Sequence, residues 1–174
     1  GLLVQIAKLC GARVIATVGS EAKADVARVS KTPGRTRALN FFDLGRRLRL
    51  VDLPGYGYAA APRKELVTWR TLIDVYLRKR PNLRRVLLLV DARHPLKDND
   101  RLAMTVLDEA GISYQVVLTK IDKQPAAKRP HLIAEIDAEI SRHPAAHPVV
   151  LATSARAGLG LDQLRAEIAA LASS

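Results

Sequence analysis

The sequence is poor in cysteine and in aromatic residues. Its 174 residues include one cysteine, Cys10, so no disulfide can form within the chain, and a reducing, cytoplasmic location is predicted. One cysteine and four dispersed histidines also lack the spacing of a zinc site. Phe, Trp and Tyr make up 4% of the residues, which is too few for an array of rings that stacks on successive bases of a single strand.

Long hydrophobic runs and negative charges are scarce as well. No stretch of 18 uncharged apolar residues occurs, so neither a membrane-spanning helix nor a membrane partner is expected. The chain has 28 Lys and Arg against 17 Asp and Glu, a net charge of +11, which favours nucleic acid as a partner. Clusters of basic residues in predicted loops are candidate RNA contacts, although a solvated face is the alternative: Arg46, Arg47, Arg78, Lys79, Arg80, Arg84 and Arg85.

The residues that are present alternate between short apolar runs and helical periods. Strands are predicted over 13–18, 38–44, 48–53, 85–91, 115–119 and 149–153, with helices over 2–10, 21–28, 63–78, 98–110, 128–142 and 161–172. The strands at 38–44 and 48–53 are predicted to form an antiparallel hairpin. This alternation predicts an α/β fold, a three-layer sandwich around a doubly wound, mostly parallel sheet.

In such sheets ligands bind beyond the carboxyl ends of the strands, so the residues that follow each strand are candidates for function. Asp52, Leu53, Pro54 and Gly55 follow the apolar run that ends at Val51, and there a carboxylate can hold hydrated Mg²⁺ and a glycine N–H can face a phosphate. Gly34, Arg35 and Thr36 form a second candidate, in which Thr36 could ligate Mg²⁺. Simple Pro-Gly turns are the alternative at both places.

Two further segments suggest recognition of a base. Thr119, Lys120, Ile121 and Asp122 follow an apolar strand, and a carboxylate there can accept two hydrogen bonds from guanine while the lysine stem lies along the ring. An ordinary solvated loop is the alternative. Ala152, Thr153 and Ser154 end the next strand, where small residues let backbone N–H groups approach a base carbonyl. This last signal is weak on its own, because such turns are common.

Together these segments resemble the bacterial EngB-type ribosome-biogenesis GTP-binding proteins. The resemblance runs from about residue 27 to the end and includes the strings D-L-P-G-Y-G-Y-A from Asp52, D-A-R-H-P-L-K-D from Asp91 and T-K-I-D from Thr119. It implies a sheet of the P-loop GTPase type, GTP or GDP with Mg²⁺ as ligands, and the large ribosomal subunit or its RNA as partner. It also implies a link to cell division and septation.

The resemblance assigns roles to the same residues. Thr36 would ligate Mg²⁺ with Asp52 acting through water, and Gly55 would sense the terminal phosphate. Thr119, Lys120 and Asp122 would read guanine, and residues 152–154 would close over it.

The sequence departs from this family in its first part. The 174 residues contain no G-x-x-x-x-G-K-[ST] string, and Tyr56 follows the switch glycine where many GTPases have glutamine. GTP binding and hydrolysis are therefore expected to be impaired, and a nucleotide-independent, basic RNA-binding module is the alternative function. Residues 1–28 resemble a helix and strand of quinone-reductase-like medium-chain dehydrogenases. They are predicted to substitute for the first βα unit of a GTP-binding domain at 29–174, with no NAD(P) site expected.

Overall fold

The computed structural model describes residues 13–15, 40–44, 48–53, 71, 77–79 and 81–173. Its strands are β1 (Arg13–Ile15), β2 (Asn40–Leu44), β3 (Leu48–Asp52), β4 (Val86–Asp91), β5 (Tyr114–Thr119) and β6 (Leu151–Ala152). Its helices are α1 (Asp98–Glu109), α2 (Arg129–Ile140) and α3 (Leu161–Ser173). Two short 3-10 turns, Ile121–Lys123 and Ala126–Lys128, lie between β5 and α2. The predicted helices at 2–10 and 21–28, and most of that at 63–78, lie outside the described residues.

The first three strands form an antiparallel sheet in the order β1-β2-β3. β2 and β3 pair with Leu44 opposite Leu48 and Asn40 opposite Asp52, which confirms the predicted hairpin. β1 pairs antiparallel with β2, with Arg13 opposite Asp43. The N-terminal strand therefore extends the hairpin, whereas the division of the chain at residue 28 stays a prediction.

The last three strands form a parallel sheet in the order β4-β5-β6. β4 and β5 pair along their whole length, from Val86 opposite Tyr114 to Asp91 opposite Thr119. Parallel neighbours need a crossover connection, which α1 supplies between β4 and β5 and α2 supplies between β5 and β6. As a result, the carboxyl ends of all three strands meet at one edge of this sheet.

Helices cover both faces of the parallel sheet. Alternate residues of β4 point in opposite directions, so Val86, Leu88 and Val90 enter one buried cluster with residues of α1 and α2, such as Met104 and Ile136. On the other face Leu87 and Leu89 pack against a second cluster that contains Leu164 and Ile168 of α3, together with Leu48 and Leu50 of β3. The predicted α/β fold with a layer of helices on each side of the sheet is confirmed. Within the described residues, no helix is long and apolar enough to cross a membrane.

Candidate functional site

The loop formed by residues 119–122 begins where β5 ends. The hydroxyl of Thr119 donates to the carbonyl oxygen of Val90 at 3.1 Å, which fixes this end of β5 to β4. Lys120 has φ +59° and ψ +34°, a left-handed conformation that is uncommon for a residue other than glycine. This turn lets the chain enter the 3-10 turn with Ile121 buried, so that Lys120 and Asp122 remain at the surface edge of the sheet.

The carboxylate of Asp122 is held by Ser154. The Ser154 hydroxyl donates to Asp122 Oδ1 at 2.6 Å and accepts a hydrogen bond from the backbone N–H of Ala157 at 3.1 Å. This hydrogen bond from Ser154 lowers the pKa of Asp122, so the carboxylate is ionised at neutral pH. The side chain of Asp122 is 17% exposed, and its Oδ2 lies 3.8 Å from the Lys123 ammonium. An ionised carboxylate has about four acceptor positions, so the hydrogen bond from Ser154 leaves capacity for a ligand.

The segment of residues 152–154 fastens the 119–122 loop to β6. The backbone N–H and the hydroxyl of Thr153 both donate to the carbonyl oxygen of Leu118, at 2.7 and 2.8 Å, and the N–H of Ile121 donates to the carbonyl oxygen of Thr153 at 3.0 Å. The N–H of Ser154 donates to the Leu159 carbonyl at 2.9 Å. The expectation that the N–H groups of this segment face a base is therefore wrong for Thr153 and Ser154, because protein carbonyls already accept them.

The turn that follows Ser154 is packed tightly against the same segment. Gly158 and Gly160 both have positive φ, +73° and +64°. A Cβ added at Gly160 would lie 2.0 Å from the carbonyl oxygen of Ala152, whereas one added at Gly158 would meet nothing within 4 Å. Gly160 is therefore required both by its backbone conformation and by a close approach to the site.

The opposite flank of the loop is held by charged residues. The Lys120 ammonium lies 2.7 Å from Asp91 Oδ2, and the Arg93 guanidinium donates to both oxygens of Asp91 at 2.7–3.1 Å. The side-chain amide of Gln124 donates to the carbonyl oxygen of Ala92 at 2.6 Å. Although burial opposes it, hydrogen bonding from Arg93 and Lys120 holds the pKa of Asp91 well below its usual range. In the sequence, Asp91 and Arg93 belong to the family string that begins at Asp91, and no separate pattern marks them as site residues. Their position at the end of an apolar strand is the feature that could have indicated a role in the site.

Of the other predicted ligand-binding residues, the structure describes two, Asp52 and Leu53. Asp52 ends β3 and is partly buried, and Leu53 beside it packs against the cluster formed with α1 and α2. The predicted ligand-binding residues Gly34, Arg35, Thr36, Pro54 and Gly55 lie outside the described residues. Within the described ranges, no group of three or more His, Cys, Asp or Glu side chains could by itself hold a metal ion.

The basic residues near the start of β4 differ in their surroundings. Arg78, Lys79 and Arg84 are exposed, and Arg78 and Arg84 line a cavity of about 490 Å³ with apolar residues that include Leu77 and Leu83. The side chain of Arg85 is only 16% exposed. Its guanidinium donates to Gln115 at 3.0 Å and lies 3.5 Å from Glu167.

Arg85 therefore packs within the domain, where Gln115 and Glu167 are its partners, and its contact with RNA stays a prediction. The remaining basic candidates, Arg46, Arg47 and Arg80, lie outside the described residues.

Comparison with known proteins identifies relatives. A family model described as 50S ribosome-binding GTPase matches residues 15–120. A probable GTP-binding protein EngB of Rhodospirillum rubrum is 54% identical over 153 residues, which are 85% of this chain and 66% of the relative. The corresponding protein of Hyphomonas neptunium is 52% identical, over 86% of this chain and 70% of its own length. The chain thus spans about two thirds of the length of these curated relatives.

Solved structures give the same fold. Translation elongation factor SelB of Methanococcus maripaludis matches with a TM-score of 0.56 in its apo form, at 22% identity, over 72% of this chain and 25% of that protein. Its complex with the GTP analogue GppNHp matches with a TM-score of 0.57, at 21% identity, over 79% of this chain and 28% of that protein. Together with the matching family model, these structures show the fold of the P-loop GTPases. The chain belongs to the EngB family of GTP-binding proteins, as the sequence motifs predicted, whereas the resemblance of residues 1–28 to dehydrogenases stays a prediction.

Proposed function

We propose that this chain binds GTP and GDP at the carboxyl ends of β5 and β6, with the guanine base read by Asp122. The observation that supports this most strongly is the carboxylate of Asp122, held by the Ser154 hydroxyl at 2.6 Å and kept ionised. Guanine presents a ring N–H and an exocyclic amine that donate to one carboxylate. Adenine has neither donor at that edge, so it would leave the charge desolvated and unpaired, which is the costly outcome.

The carbonyl oxygen of guanine, which lies next to the ring N–H, needs a hydrogen-bond donor. The N–H groups of Thr153 and Ser154 are engaged with protein carbonyls, so these residues support the site by fixing the loop. The next residue, Ala155, is exposed and follows Ser154 directly. We assign the backbone N–H of Ala155 to the guanine carbonyl oxygen, with Ala152 as the small residue that lets the turn approach.

Magnesium would enter this site with the phosphates. Mg²⁺ usually takes one or two protein ligands, several waters and phosphate oxygens, so one carboxylate and one hydroxyl are a sufficient protein contribution. Asp52, at the end of β3, fits the role of a carboxylate that holds a bound water, and Thr36 would supply the direct ligand. When bound, the ion would neutralise charge on the phosphate oxygens, while Asp52 orients its water.

Phosphate binding should be weak in this chain. A phosphate loop supplies several charge-assisted hydrogen bonds, and the 174 residues contain no G-x-x-x-x-G-K-[ST] string to provide them. Guanosine, GMP, GDP and GTP should therefore bind within a few-fold of one another, with little dependence on Mg²⁺ and negligible hydrolysis. Binding of the base would dominate the affinity.

The test is a calorimetric titration with these four ligands, with adenosine and with NADPH, each with and without Mg²⁺. Guanine ligands should bind and the other two should not. In Asp122→Asn the affinity for guanosine should fall on the order of 100-fold, because a charged acceptor of two donors is removed. Xanthosine, which presents an acceptor at that edge, should gain relative to guanosine.

Asp98→Asn is the matched control, because it removes the same charge from a fully exposed carboxylate. An unchanged ratio of guanosine to xanthosine binding in Asp122→Asn would refute the assignment of Asp122. Submicromolar GTP affinity that depends on Mg²⁺ would refute the expected weakness of phosphate binding.

The second part of the proposal concerns a partner. We propose that the chain binds the large ribosomal subunit through its RNA, that it does so in the cytoplasm, and that this binding is coupled to cell division. It is supported by the net charge of +11 and by the exposed Arg78, Lys79 and Arg84. These residues lie near the amino end of β4, away from the edge where the 119–122 loop lies, so RNA and nucleotide would not compete. Arg46, Arg47 and Arg80 are further candidates from the sequence.

The measurement is the affinity for large-subunit RNA as a function of salt. Phosphate contacts give a steep fall of affinity with salt, and replacing Lys79 and Arg84 with Ala should reduce the log–log slope by about one unit for each RNA phosphate that is no longer neutralised. Lys128 and Arg142, replaced together, make an equally charged control on the flanks of α2. Affinity that does not change with salt would refute RNA binding. Tight RNA binding in a chain that binds no guanosine would favour the nucleotide-independent module instead.

A further inference from the structure

The contacts of Asp91 link the end of β4 to the 119–122 loop. Asp91 stands opposite Thr119 in the β4–β5 register, so the residues after these two positions are neighbours across the strands. The Lys120 side chain crosses from β5 toward β4 and places its ammonium 2.7 Å from Asp91 Oδ2. The aliphatic stem of Lys120 thus spans the space between the two strand ends.

Arg93 fixes the orientation of the Asp91 carboxylate. The backbone N–H of Arg93 donates to Asp91 Oδ1 at 3.1 Å. This contact, between an aspartate side chain and the N–H two residues later, is an Asx-turn. The Arg93 guanidinium adds a fork of contacts, with Nε 3.0 Å from Oδ1 and Nη2 2.7 Å from Oδ2. The carboxylate is 19% exposed, and these contacts from Arg93 together orient it.

The contacts on the two sides of the loop determine how a bound base would be oriented. Asp122 faces the β6 side through Ser154, whereas Lys120 is drawn to the β4 side through Asp91. A base whose edge meets Asp122 therefore has the stem of Lys120 beside its face. We propose that Asp91, clamped by Arg93, is a positioning residue that fixes Lys120 so that its stem forms a wall of the guanine pocket. This inference rests on the proposed function.

The experiment is a double-mutant cycle on Asp91→Asn and Lys120→Ala, with guanosine and GDP as ligands in titration calorimetry. Asp91→Asn should weaken both ligands by the same factor, about three- to tenfold, because the effect acts on the base and not on the phosphates. In the Lys120→Ala background the same change should cost less than about twofold, since the side chain that Asp91 positions is then absent. Glu135→Gln, which removes one charge from an exposed carboxylate of α2, is the control.

A second variant and a second measurement distinguish a loss of folding from a loss of Lys120 orientation. Arg93→Ala should weaken both ligands in the same direction as Asp91→Asn but less, and Arg93→Lys should recover part of the loss. Lysine ammonium signals in ¹H–¹⁵N spectra should show Lys120 slow to exchange in the original protein and fast in Asp91→Asn, with urea midpoints confirming that both are folded. This readout reports the Asp91–Lys120 contact without any ligand.

The possible negative results overturn different hypotheses. Wild-type affinity in Asp91→Asn, or losses that simply multiply in the double variant, would overturn the positioning role while leaving the proposed function intact. A protein that binds neither guanosine nor GDP would overturn the proposed function itself. Losses that differ between guanosine and GDP would also overturn the inference, because they would show that Asp91 acts on the phosphates.

Discussion

The 119–122 loop is fixed differently on its two flanks. On the β4 flank the contacts are ionic and partly exposed: Arg93 and Lys120, which share the Asp91 carboxylate, have side chains 48% and 50% exposed. On the β6 flank the contacts are backbone and hydroxyl hydrogen bonds made by Thr153 and Ser154, both of which are almost fully buried.

The difference indicates that the two flanks fix different parts of the loop. Hydrogen bonds from the buried, uncharged donors of Thr153 and Ser154 are less sensitive to salt than ion pairs and are costly to break, so the β6 flank sets where the backbone of the loop lies. Partly exposed ion pairs contribute little to stability but orient long side chains, so the β4 flank sets where one lysine points. Substitutions on the two flanks should therefore change different quantities.

The largest effect is expected from Gly160→Ala on the β6 flank. The new Cβ would lie 2.0 Å from the Ala152 carbonyl oxygen in a backbone with φ +64°, so the turn must shift away from residues 152–154. The left-handed conformation alone costs a non-glycine residue about 1–2 kcal/mol, and the clash adds to it, so the free energy of unfolding should fall by roughly 2 kcal/mol or more. Urea denaturation measures this, and guanosine affinity should fall with it.

Gly158→Ala is the matched control for that prediction. Gly158 has φ +73°, but a Cβ there meets nothing within 4 Å, so only the conformational cost should remain. Equal losses of stability in the two variants would show that the close approach to Ala152 is unimportant.

A smaller effect is expected from Ser154→Ala. This change removes the hydroxyl that donates to Asp122 at 2.6 Å and accepts from the N–H of Ala157. Guanosine affinity should fall about three- to tenfold, since Asp122 loses the partner that orients it. Ser141→Ala, which removes a hydroxyl bound to the Ala138 carbonyl at the end of α2, is the control for calorimetry and should keep the original affinity. An equal loss in both variants would contradict the role of Ser154.

Ionic strength should separate the two flanks. At 500 mM salt the loss of guanosine affinity caused by Asp91→Asn should shrink by about twofold relative to 50 mM, because partly exposed ion pairs are screened. The loss caused by Ser154→Ala should not change. Guanosine is the ligand of choice because it has no phosphates whose own screening would interfere. A salt-dependent Ser154→Ala effect would mean that the flanks are not distinct.

The smallest effect is the pH dependence of stability due to Asp91. Against the effect of burial, its pKa is lowered in the folded protein by Arg93 and Lys120, so below an ordinary aspartate pKa of about 3.9 the unfolded chain binds more protons than the folded one. The stabilisation is therefore complete above that pH and is lost as pH falls further.

At pH 7 the contribution should be under about 1 kcal/mol, as is usual for partly exposed pairs. Urea midpoints between pH 7 and pH 3 should fall less in Asp91→Asn than in the original protein. Parallel curves would show that the pair contributes no stability.

Local patterns in the sequence predicted most of the fold. The apolar run from Val86 to Val90 identified a strand that packs against apolar residues on both faces, and the turn after Leu44 identified the hairpin. Asp122 and Ser154 were predicted as site residues from motifs, and the structure brings them within 2.6 Å. Their roles toward a ligand remain predictions.

Contacts between distant residues could not be predicted in the same way. The pairing of Asp91 with Lys120 depends on the register of β4 against β5, which no local pattern specifies. Arg85 looks in the sequence like its exposed neighbour Arg84, and only Gln115, 30 residues away, shows that it faces inward. Similarly, Gly158 and Gly160 are alike in sequence, but only the latter approaches a carbonyl group.

The contacts of the 119–122 loop lie close together along the chain, which has a consequence for how such a domain can be inherited. All the contacts described for the 119–122 loop come from one uninterrupted stretch of chain, between Val90 and Gly160. A recombination event upstream of that stretch would exchange the first strand and its surroundings without cutting any of these contacts. Under the proposed function, recognition of the base would therefore be transmitted as a unit, and a phosphate-binding segment upstream would be gained, lost or replaced separately.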